Sequence, residues 1–270
     1  MATRVSTTTV KATYVGGPTV LLEVAGLRLL TDPTFDPPGG SYPLGNIVLK
    51  KNGGPALSVE ELAPIDAVLL SHDQHSDNLN RSGRALLPKV PRIFTTVGGM
   101  ERLEVKATGL RPWESAILKT PSGDSLHITA TPARHGPAGI EPITGEVIGF
   151  MLSLEQEGYR KDLVYVTGDT VWYEGIAEVA RRFTPATVLI FGGAAQPRGP
   201  FNVTMGANDA IDTAQAFPEA QIVPLHHEGW EHYTQTQAEL ASAFATLRID
   251  HRLCLLQPGV PTALGKAGIE

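Results

Sequence analysis

The segment AVLLSHDQHSDNLN, residues 67–80, decides the fold of this chain. Its first four residues are continuously apolar, a pattern typical of a strand that is buried on both faces of a sheet. A polar block then interrupts the strand and places two histidines and two aspartates within the six residues from His72 to Asp77. Imidazole and carboxylate groups are common ligands of hydrolytic divalent metal ions. The segment therefore predicts a metal site at the end of a buried strand.

The same block has a second interpretation, in which Asp73, Ser76 or Asp77 caps a helix that extends towards Arg84. Asp and Ser are favoured N-cap residues because their side-chain oxygens accept hydrogen bonds from the first free N–H groups of a helix. A cap and a metal site are compatible with each other, and metal binding is the interpretation we prefer.

Three further polar clusters follow predicted strands in the same way. They are Thr131–Gly136, Thr167–Thr170 and Pro224–Glu228, and they contribute the candidate site residues Arg134, His135, Asp169, His226 and His227. Side chains that follow separate strands can converge at one edge of a sheet, where α/β proteins place their ligands. We therefore expect the four clusters to form a single site.

The rest of the chain has a β-rich beginning followed by alternating strands and helices. Beyond the β-rich first 31 residues, continuous apolar runs predict buried strands at 67–70, 93–95, 147–154, 163–166, 188–191, 222–225 and 253–256. Helices are expected at 175–183, 207–216 and 236–247, and Ser58 with Glu61 predicts the capping box of another. The Pro- and Gly-rich segment 32–55 is expected to be a substrate-facing loop. No linker interrupts this order, so we predict one domain over residues 1–270.

Composition argues against several classes of partner. The net charge is −6 and no run of Lys or Arg forms a basic stripe, so neither nucleic acid nor an anionic membrane surface is indicated. Arg134 and Arg198 remain candidates for a local basic pocket. The single cysteine, Cys254, is expected in a buried strand. No apolar stretch suggests a signal peptide or a membrane span, so we expect a cytoplasmic protein; the sequence makes no prediction of its oligomeric state.

Several other residues have weaker contexts. His127 lies in an alternating run and is expected on a strand surface, and neither His232 nor His251 has a metal-like context. Aromatic residues follow the third and fourth clusters and could line a substrate pocket: Trp172, Tyr173, Trp230 and Tyr233. The turn at Gly192–Ala194 lacks the lysine and serine of a phosphate-binding loop.

The order of the candidate ligands resembles the metallo-β-lactamase superfamily, whose pattern is an HxHxDH loop after a strand, then a His, an Asp and a final His. Leu29–Pro33 is similar to a segment of the branch that includes ascorbate-phosphate lactonase, and Val166–Thr170 is similar to the superfamily's aspartate strand. The resemblance spans roughly residues 20–256. It implies an αββα four-layer sandwich with one or two metal ions at the sheet edge.

The first motif departs from that pattern and can be aligned in two ways. Without a gap, Gln74 takes the position of the second histidine and Asp77 that of the last. With one inserted residue, His75 becomes the second histidine, Asp77 becomes the aspartate and Asn78 replaces the last histidine. We prefer the second alignment because an imidazole binds a transition metal better than a carboxamide oxygen does.

The resemblance implies a metal-dependent hydrolase. His72, His75, His135 and Asp169 would hold a divalent metal ion that activates water, and Asp77 with His226 would complete a second metal position or transfer protons. Zinc is the ion that the resemblance favours, whereas neutral oxygen donors at Gln74 and Asn78 would favour Mn²⁺ or Fe²⁺. His227 could replace His226 or donate an outer hydrogen bond. Arg134 could hold an anionic group of a small-molecule substrate, which by resemblance is a lactone, ester or phosphate ester.

Two alternatives stay open. Gln74 and Asn78 would also suit a non-catalytic descendant of the same fold that binds a small ligand. A nuclease of the same superfamily is the second alternative, and the negative net charge counts against it.

Overall fold

Two β-sheets pack face to face in the computed structural model, which describes residues 9–265. The first sheet has the strand order β15-β1-β2-β3-β6-β7-β8 and the second β14-β13-β12-β11-β10-β9, and β4 pairs with β5 in a separate hairpin. The strands are β1 (Val10–Gly16), β2 (Thr19–Val24), β3 (Leu27–Thr31), β4 (Ser41–Leu44), β5 (Ile47–Lys50), β6 (Ala67–Leu69), β7 (Ile93–Thr96), β8 (Thr108–Leu110), β9 (Ser115–Lys119), β10 (Ser125–Pro132), β11 (Ile148–Gln156), β12 (Tyr159–Val166), β13 (Thr187–Phe191), β14 (Gln221–Leu225) and β15 (Pro261–Leu264). The helices are α1 (Val59–Leu62), α2 (Arg81–Leu86), α3 (Val97–Arg102), α4 (Glu141–Thr144), α5 (Glu174–Arg182), α6 (Ala207–Ala216) and α7 (Gln237–Thr246).

The continuous apolar runs of the central strands are explained by burial on both faces. In β6, Leu69 packs into the core between the sheets whereas Val68 packs into the layer that contains Leu62 of α1. In β12, Val164 faces the other sheet and Tyr165 faces the layer of α5, α6 and α7. Successive strand residues point to opposite faces, so a strand covered on both sides needs apolar residues at every position. The layers are therefore helix, sheet, sheet, helix, as the predicted αββα sandwich requires.

The sheet topology brings the four polar clusters to one edge. Strand β3 runs parallel to β6, and β12 runs parallel to β13 and β14. Strand β10 is antiparallel to β11, which is antiparallel to β12, so β10 and β12 end on the same side of their sheet. The loops after β10, β12 and β14 consequently lie at one end of their sheet, and residues of the loop after β6, in the other sheet, meet them there.

Local sequence signals account for several boundaries. The capping box of Ser58 and Glu61 at α1 is confirmed, and Thr236 with Glu239 forms a second one at α7. Helix α6 covers the predicted range 207–216. His127 lies half-buried on β10, where its Nε2 is 2.8 Å from Glu155 Oε2.

Three predictions are wrong. Residues 253–256 are not a strand, because Leu253 makes one isolated bridge to Ile222 before the chain turns away, and Cys254 is only half-buried. The predicted loop 32–55 contains the hairpin of β4 and β5. Helix α2 is capped by Asn80, whose Oδ1 accepts from the Gly83 N–H at 3.0 Å, rather than by Asp73, Ser76 or Asp77.

None of the helices within residues 9–265 has the length and apolarity needed to cross a membrane. The prediction of one domain over residues 1–270 stays a prediction, since its two ends lie outside the described residues.

Candidate metal centre

Four buried side chains converge at the edge where the sheets meet. His72 and His75 follow β6, His135 follows β10 and Asp169 follows β12, and one ligand atom of each lies within 4.8 Å of the others. His75 Nδ1 is 2.9 Å from His72 Nε2 and 3.1 Å from His135 Nε2. Asp169 Oδ2 is 3.8 Å from His72 Nε2 and 3.5 Å from His135 Nε2. Ligand atoms held at about 2.0–2.2 Å around a tetrahedral ion are about 3.3–3.6 Å apart, so the group has the size of one coordination sphere.

Outer hydrogen bonds orient two of the imidazoles. The His135 Nδ1–H donates to the Val203 carbonyl at 2.7 Å, which leaves the Nε2 lone pair directed at the group. His72 Nδ1 lies 2.9 Å from Ser71 Oγ, and the Ser71 hydroxyl donates to Asp32 Oδ1 at 2.7 Å. Because the hydroxyl proton is used by Asp32, the His72 Nδ1–H donates to Ser71 Oγ and Nε2 is free. Histidines that bind metals are oriented by outer partners of this kind.

The donor set fits a divalent metal ion. The single hydrogen that His75 Nδ1 could carry can serve only one of the two facing Nε2 atoms, and both oxygens of the buried Asp169 lack a hydrogen-bond partner. Leaving such groups buried and unpaired is costly, and a bound cation removes the cost. Burial, with the neighbouring imidazoles, lowers the pKa of His75 to about 4 and that of His72 well below its usual value, so both are neutral, the form that binds metals.

A second group of polar side chains adjoins the first through Asp169. His226 Nε2 is 3.4 Å from Asp169 Oδ1 and 3.8 Å from Asp77 Oδ2. His232 Nε2 is 3.0 Å from the same Asp77 oxygen, and the Tyr233 hydroxyl is 2.8 Å from His226 Nδ1. His226 has φ +56°, a left-handed conformation that is uncommon for a residue with a side chain.

The carboxylates and imidazoles of this second group shift each other's pKa values in opposite directions. Burial raises the pKa of Asp77, but the hydrogen bond and charge of His232 and the charge of His226 outweigh it, so the pKa is well below its usual value. Burial lowers the pKa of His226, and Asp169 and Asp77 reverse that effect and raise it. Asp77 is therefore a carboxylate throughout the neutral range.

Gln74 and Asn78, the two residues that depart from the family pattern, have different surroundings. The Gln74 side chain packs against Gly145, and His75 rather than Gln74 belongs to the four-residue group. Asn78 is fully buried, with Nδ2 3.5 Å from Ser71 Oγ and no partner for Oδ1. Ligand roles for Gln74 and Asn78 stay predictions.

Other candidates lie beside the group rather than in it. Asp73 points away and is held by Arg102, whose Nε is 3.0 Å from Asp73 Oδ2. The Arg134 guanidinium stacks 4.5 Å above the Tyr173 ring and donates to the Gly136 carbonyl. The His227 ring stacks on the Tyr14 ring, with the two centroids 6.0 Å apart.

A small cavity adjoins the four-residue group. Its volume is about 20 Å³ and its lining includes His75, Asp77, His135, Arg198 and His232. That volume holds about one water molecule. A larger groove of about 510 Å³ between α1 and α2 is lined by none of these side chains, so the small cavity is the one that bears on the chemistry.

His232 is the site residue that sequence reasoning missed. It lies in a loop with no strand next to it, and the absence of a neighbouring ligand pattern led us to set it aside. The one available signal was a histidine six residues after His226, between Trp230 and Tyr233. Of the aromatic residues expected near a pocket, Tyr233 contacts His226 and Trp230 packs on Tyr42 at 5.2 Å, whereas Trp172 and Tyr173 pack against the helix layer.

Comparisons with known proteins agree with this geometry. UPF0173 protein YddR of Bacillus subtilis is 25% identical over 234 residues, which cover 84% of this chain and 89% of that protein. A UPF0173 metal-dependent hydrolase of Myxococcus xanthus is 23% identical over 74% of this chain and 69% of its own length. The structure of isothiocyanate hydrolase from Delia radicum gut bacteria superposes with a TM-score of 0.79 at 24% identity, over 93% of this chain and 98% of that one.

The family model described as the beta-lactamase superfamily domain matches residues 27–227. The match includes all four converging ligands and begins at β3. Its span exceeds half of the chain, and the fold is shared with the solved isothiocyanate hydrolase. On this evidence, the chain belongs to the beta-lactamase superfamily, and its relatives include proteins named as metal-dependent hydrolases.

Proposed function

We propose that this chain is a metal-dependent hydrolase that attacks a small electrophilic substrate with water. One observation carries the proposal: three buried imidazoles and an unpartnered carboxylate face one another beside a cavity the size of one water molecule. The family relationship supports it.

Each residue of the site would have a distinct role in this reaction. His72, His75, His135 and Asp169 hold a divalent metal ion, which when bound acidifies water and polarises the bond to be cleaved. Ser71 and the Val203 carbonyl keep two of the imidazoles in the required tautomer. Asp77 reaches the cavity with Oδ1 free of partners, so it orients the water by accepting a hydrogen bond. Its depressed pKa makes it a weak base, which favours orientation over proton removal.

A cationic side chain lines the cavity beside the four-residue group. Arg198 lines the cavity and its NH1 donates to Asn46 Oδ1 at 3.2 Å, across to the hairpin of β4 and β5. Arg198 is therefore better placed than Arg134 to contact an anionic or polar substrate group. Lactones, esters and phosphate esters remain our candidate substrates, and the structural relative's name adds isothiocyanates to the panel. Assignment to the ascorbate-phosphate lactonase-like branch, zinc as the ion and a cytoplasmic location belong to the proposal.

The experiment is elemental analysis followed by a hydrolysis screen. Protein purified without chelator should contain stoichiometric divalent metal and hydrolyse at least one class among lactones, esters, phosphodiesters and isothiocyanates. Chelation should abolish the activity, and Zn²⁺, Mn²⁺ or Fe²⁺ should restore it. Asp169→Asn should lose metal and activity, whereas His251→Ala, an exposed histidine outside the group, should retain both.

Other outcomes would support the alternatives. Metal-free protein that binds a small ligand without turnover would favour the non-catalytic descendant. Retention of RNA at moderate salt, with RNA cleavage, would favour the nuclease.

A further inference from the structure

The loop after β14 brings a histidine to the side of the site where the family motif lacks one. In our alignment the last motif histidine is replaced by Asn78. His232 comes from a different part of the chain, and its Nε2 lies 3.0 Å from Asp77 Oδ2. An imidazole thus faces Asp77 although the motif does not supply it.

This placement is held from both sides by backbone pairing. Trp230 bridges to Lys51 and Tyr233 bridges to Ala195, so the loop is attached before and after His232. The Gln196 N–H also donates to the His232 carbonyl at 2.9 Å. Side chains supported by paired backbone are held more precisely than side chains on a free loop, as a binding site requires.

Asp77 and His226 connect His232 to Asp169 through three short separations between candidate ligand atoms. Asp77 Oδ2 is 3.0 Å from His232 Nε2 and 3.8 Å from His226 Nε2, and His226 Nε2 is 3.4 Å from Asp169 Oδ1. These distances bracket the separation of about 3.3–3.6 Å between ligands of a tetrahedral ion. Asp77 Oδ1, Asp169 Oδ1 and His232 Nδ1 are buried without partners, so the network of hydrogen bonds among these residues leaves polar atoms unsatisfied.

We propose that His232 is a ligand of a second metal position, formed with Asp77, His226 and Asp169, and that it replaces the histidine missing from the first motif. This inference rests on the proposed function, because Asp169 would join the two positions. A second ion there would pair with the Asp77 carboxylate and with the Asp169 oxygen that faces away from His72. His232 would also account for retention of a second position in a chain that carries Asn78.

Zinc titration of the full-length protein tests the inference. After removal of metal, the ions bound per chain and the stepwise affinities are measured by elemental analysis and by competition with a chromophoric chelator. We expect two zinc ions per wild-type chain. His232→Ala should retain the first ion, and its affinity for the second should fall by more than about 100-fold, the upper end of the loss that follows removal of an outer-shell partner.

His232→Gln separates ligation from simple positioning. A glutamine amide can still donate a hydrogen bond to Asp77 but is a poor metal ligand. If His232 is a ligand, His232→Gln loses the second ion as His232→Ala does. In the His232→Ala background, Asn78→His should recover part of the affinity for the second ion by restoring the motif histidine. His251→Ala is the matched control and should bind two ions, and circular dichroism melting shows whether each variant is folded.

The outcomes separate this inference from the proposed function. One tightly bound ion per wild-type chain at saturating zinc would overturn the inference and leave the proposed function standing. Two ions in His232→Gln would also overturn it and would make His232 a positioning residue for Asp77. A wild-type chain that binds no divalent ion would contradict the proposed function itself.

Discussion

Replacing His75 by alanine should weaken metal binding, whereas replacing its neighbour Gln74 by histidine should not strengthen it. His75 Nδ1 is within reach of two other ligand atoms of the group, 2.9 Å from His72 Nε2 and 3.1 Å from His135 Nε2. Gln74 packs against Gly145, outside the four-residue group. We therefore expect that a histidine at position 74 would not coordinate the ion.

The magnitude follows from the number of ligands. Four-ligand protein zinc sites bind with about 10–16 kcal/mol, so one ligand of four contributes about 2.5–4 kcal/mol, or about 10²–10³-fold in affinity. We expect His75→Ala to lose that much affinity for the first zinc ion.

The assay is competition between the protein and a chromophoric chelator at fixed pH, with Gln74→Ala as the matched control. Gln74→Ala and Gln74→His should keep the wild-type affinity within a few-fold. Full affinity in His75→Ala together with tighter binding in Gln74→His would show that the first motif aligns without a gap and that our reading of the loop is incorrect.

Three further predictions concern the surroundings of the same group. His135→Ala should lose metal or turnover while circular dichroism shows an intact fold, because the residue lies in a loop after β10; unchanged metal content and activity would remove it from the site. Ser71→Ala should weaken metal binding by about 10–100-fold, the usual cost of losing an outer-shell partner, because the His72 Nδ1–H loses its acceptor; unchanged affinity would refute this role. The metal-free protein should lose stability as pH falls from about 6.5 to about 4. In this range His75 is protonated in the unfolded chain but stays neutral in the native state, where its pKa is lowered to about 4. That contribution is at most about 3 kcal/mol, and urea unfolding with a flat free energy across this range would contradict it.

Much of the fold was predictable because its signals are local. A strand covered on both faces must be apolar at every position, so 67–70, 163–166 and 188–191 could be recognised without knowledge of their partners. The capping boxes at Ser58 and Thr236 act over three residues, and the N-terminal boundaries of α1 and α7 follow from them.

The predictions that failed depended on pairing over long distances. Residues 253–256 have the composition of a strand, yet a strand needs a partner along its length and this segment makes a single bridge. The hairpin of β4 and β5 was hidden in a Pro- and Gly-rich segment because its pairing does not follow a strong alternating pattern.

The sequence by itself determined the order of the ligand clusters and their positions after strands, which is sufficient to predict one metal site and its principal residues. Tertiary structure decided which atoms meet. It placed His75 rather than Gln74 beside His72, turned Asp73 towards Arg102, and brought His232 to Asp77 through a loop attached on both sides. The physical reason is that periodicity reports whether a residue faces the core or solvent, whereas coordination depends on separations of about 3–4 Å between side chains from different loops. Those separations are set by long-range backbone pairing, which no local pattern of residues records.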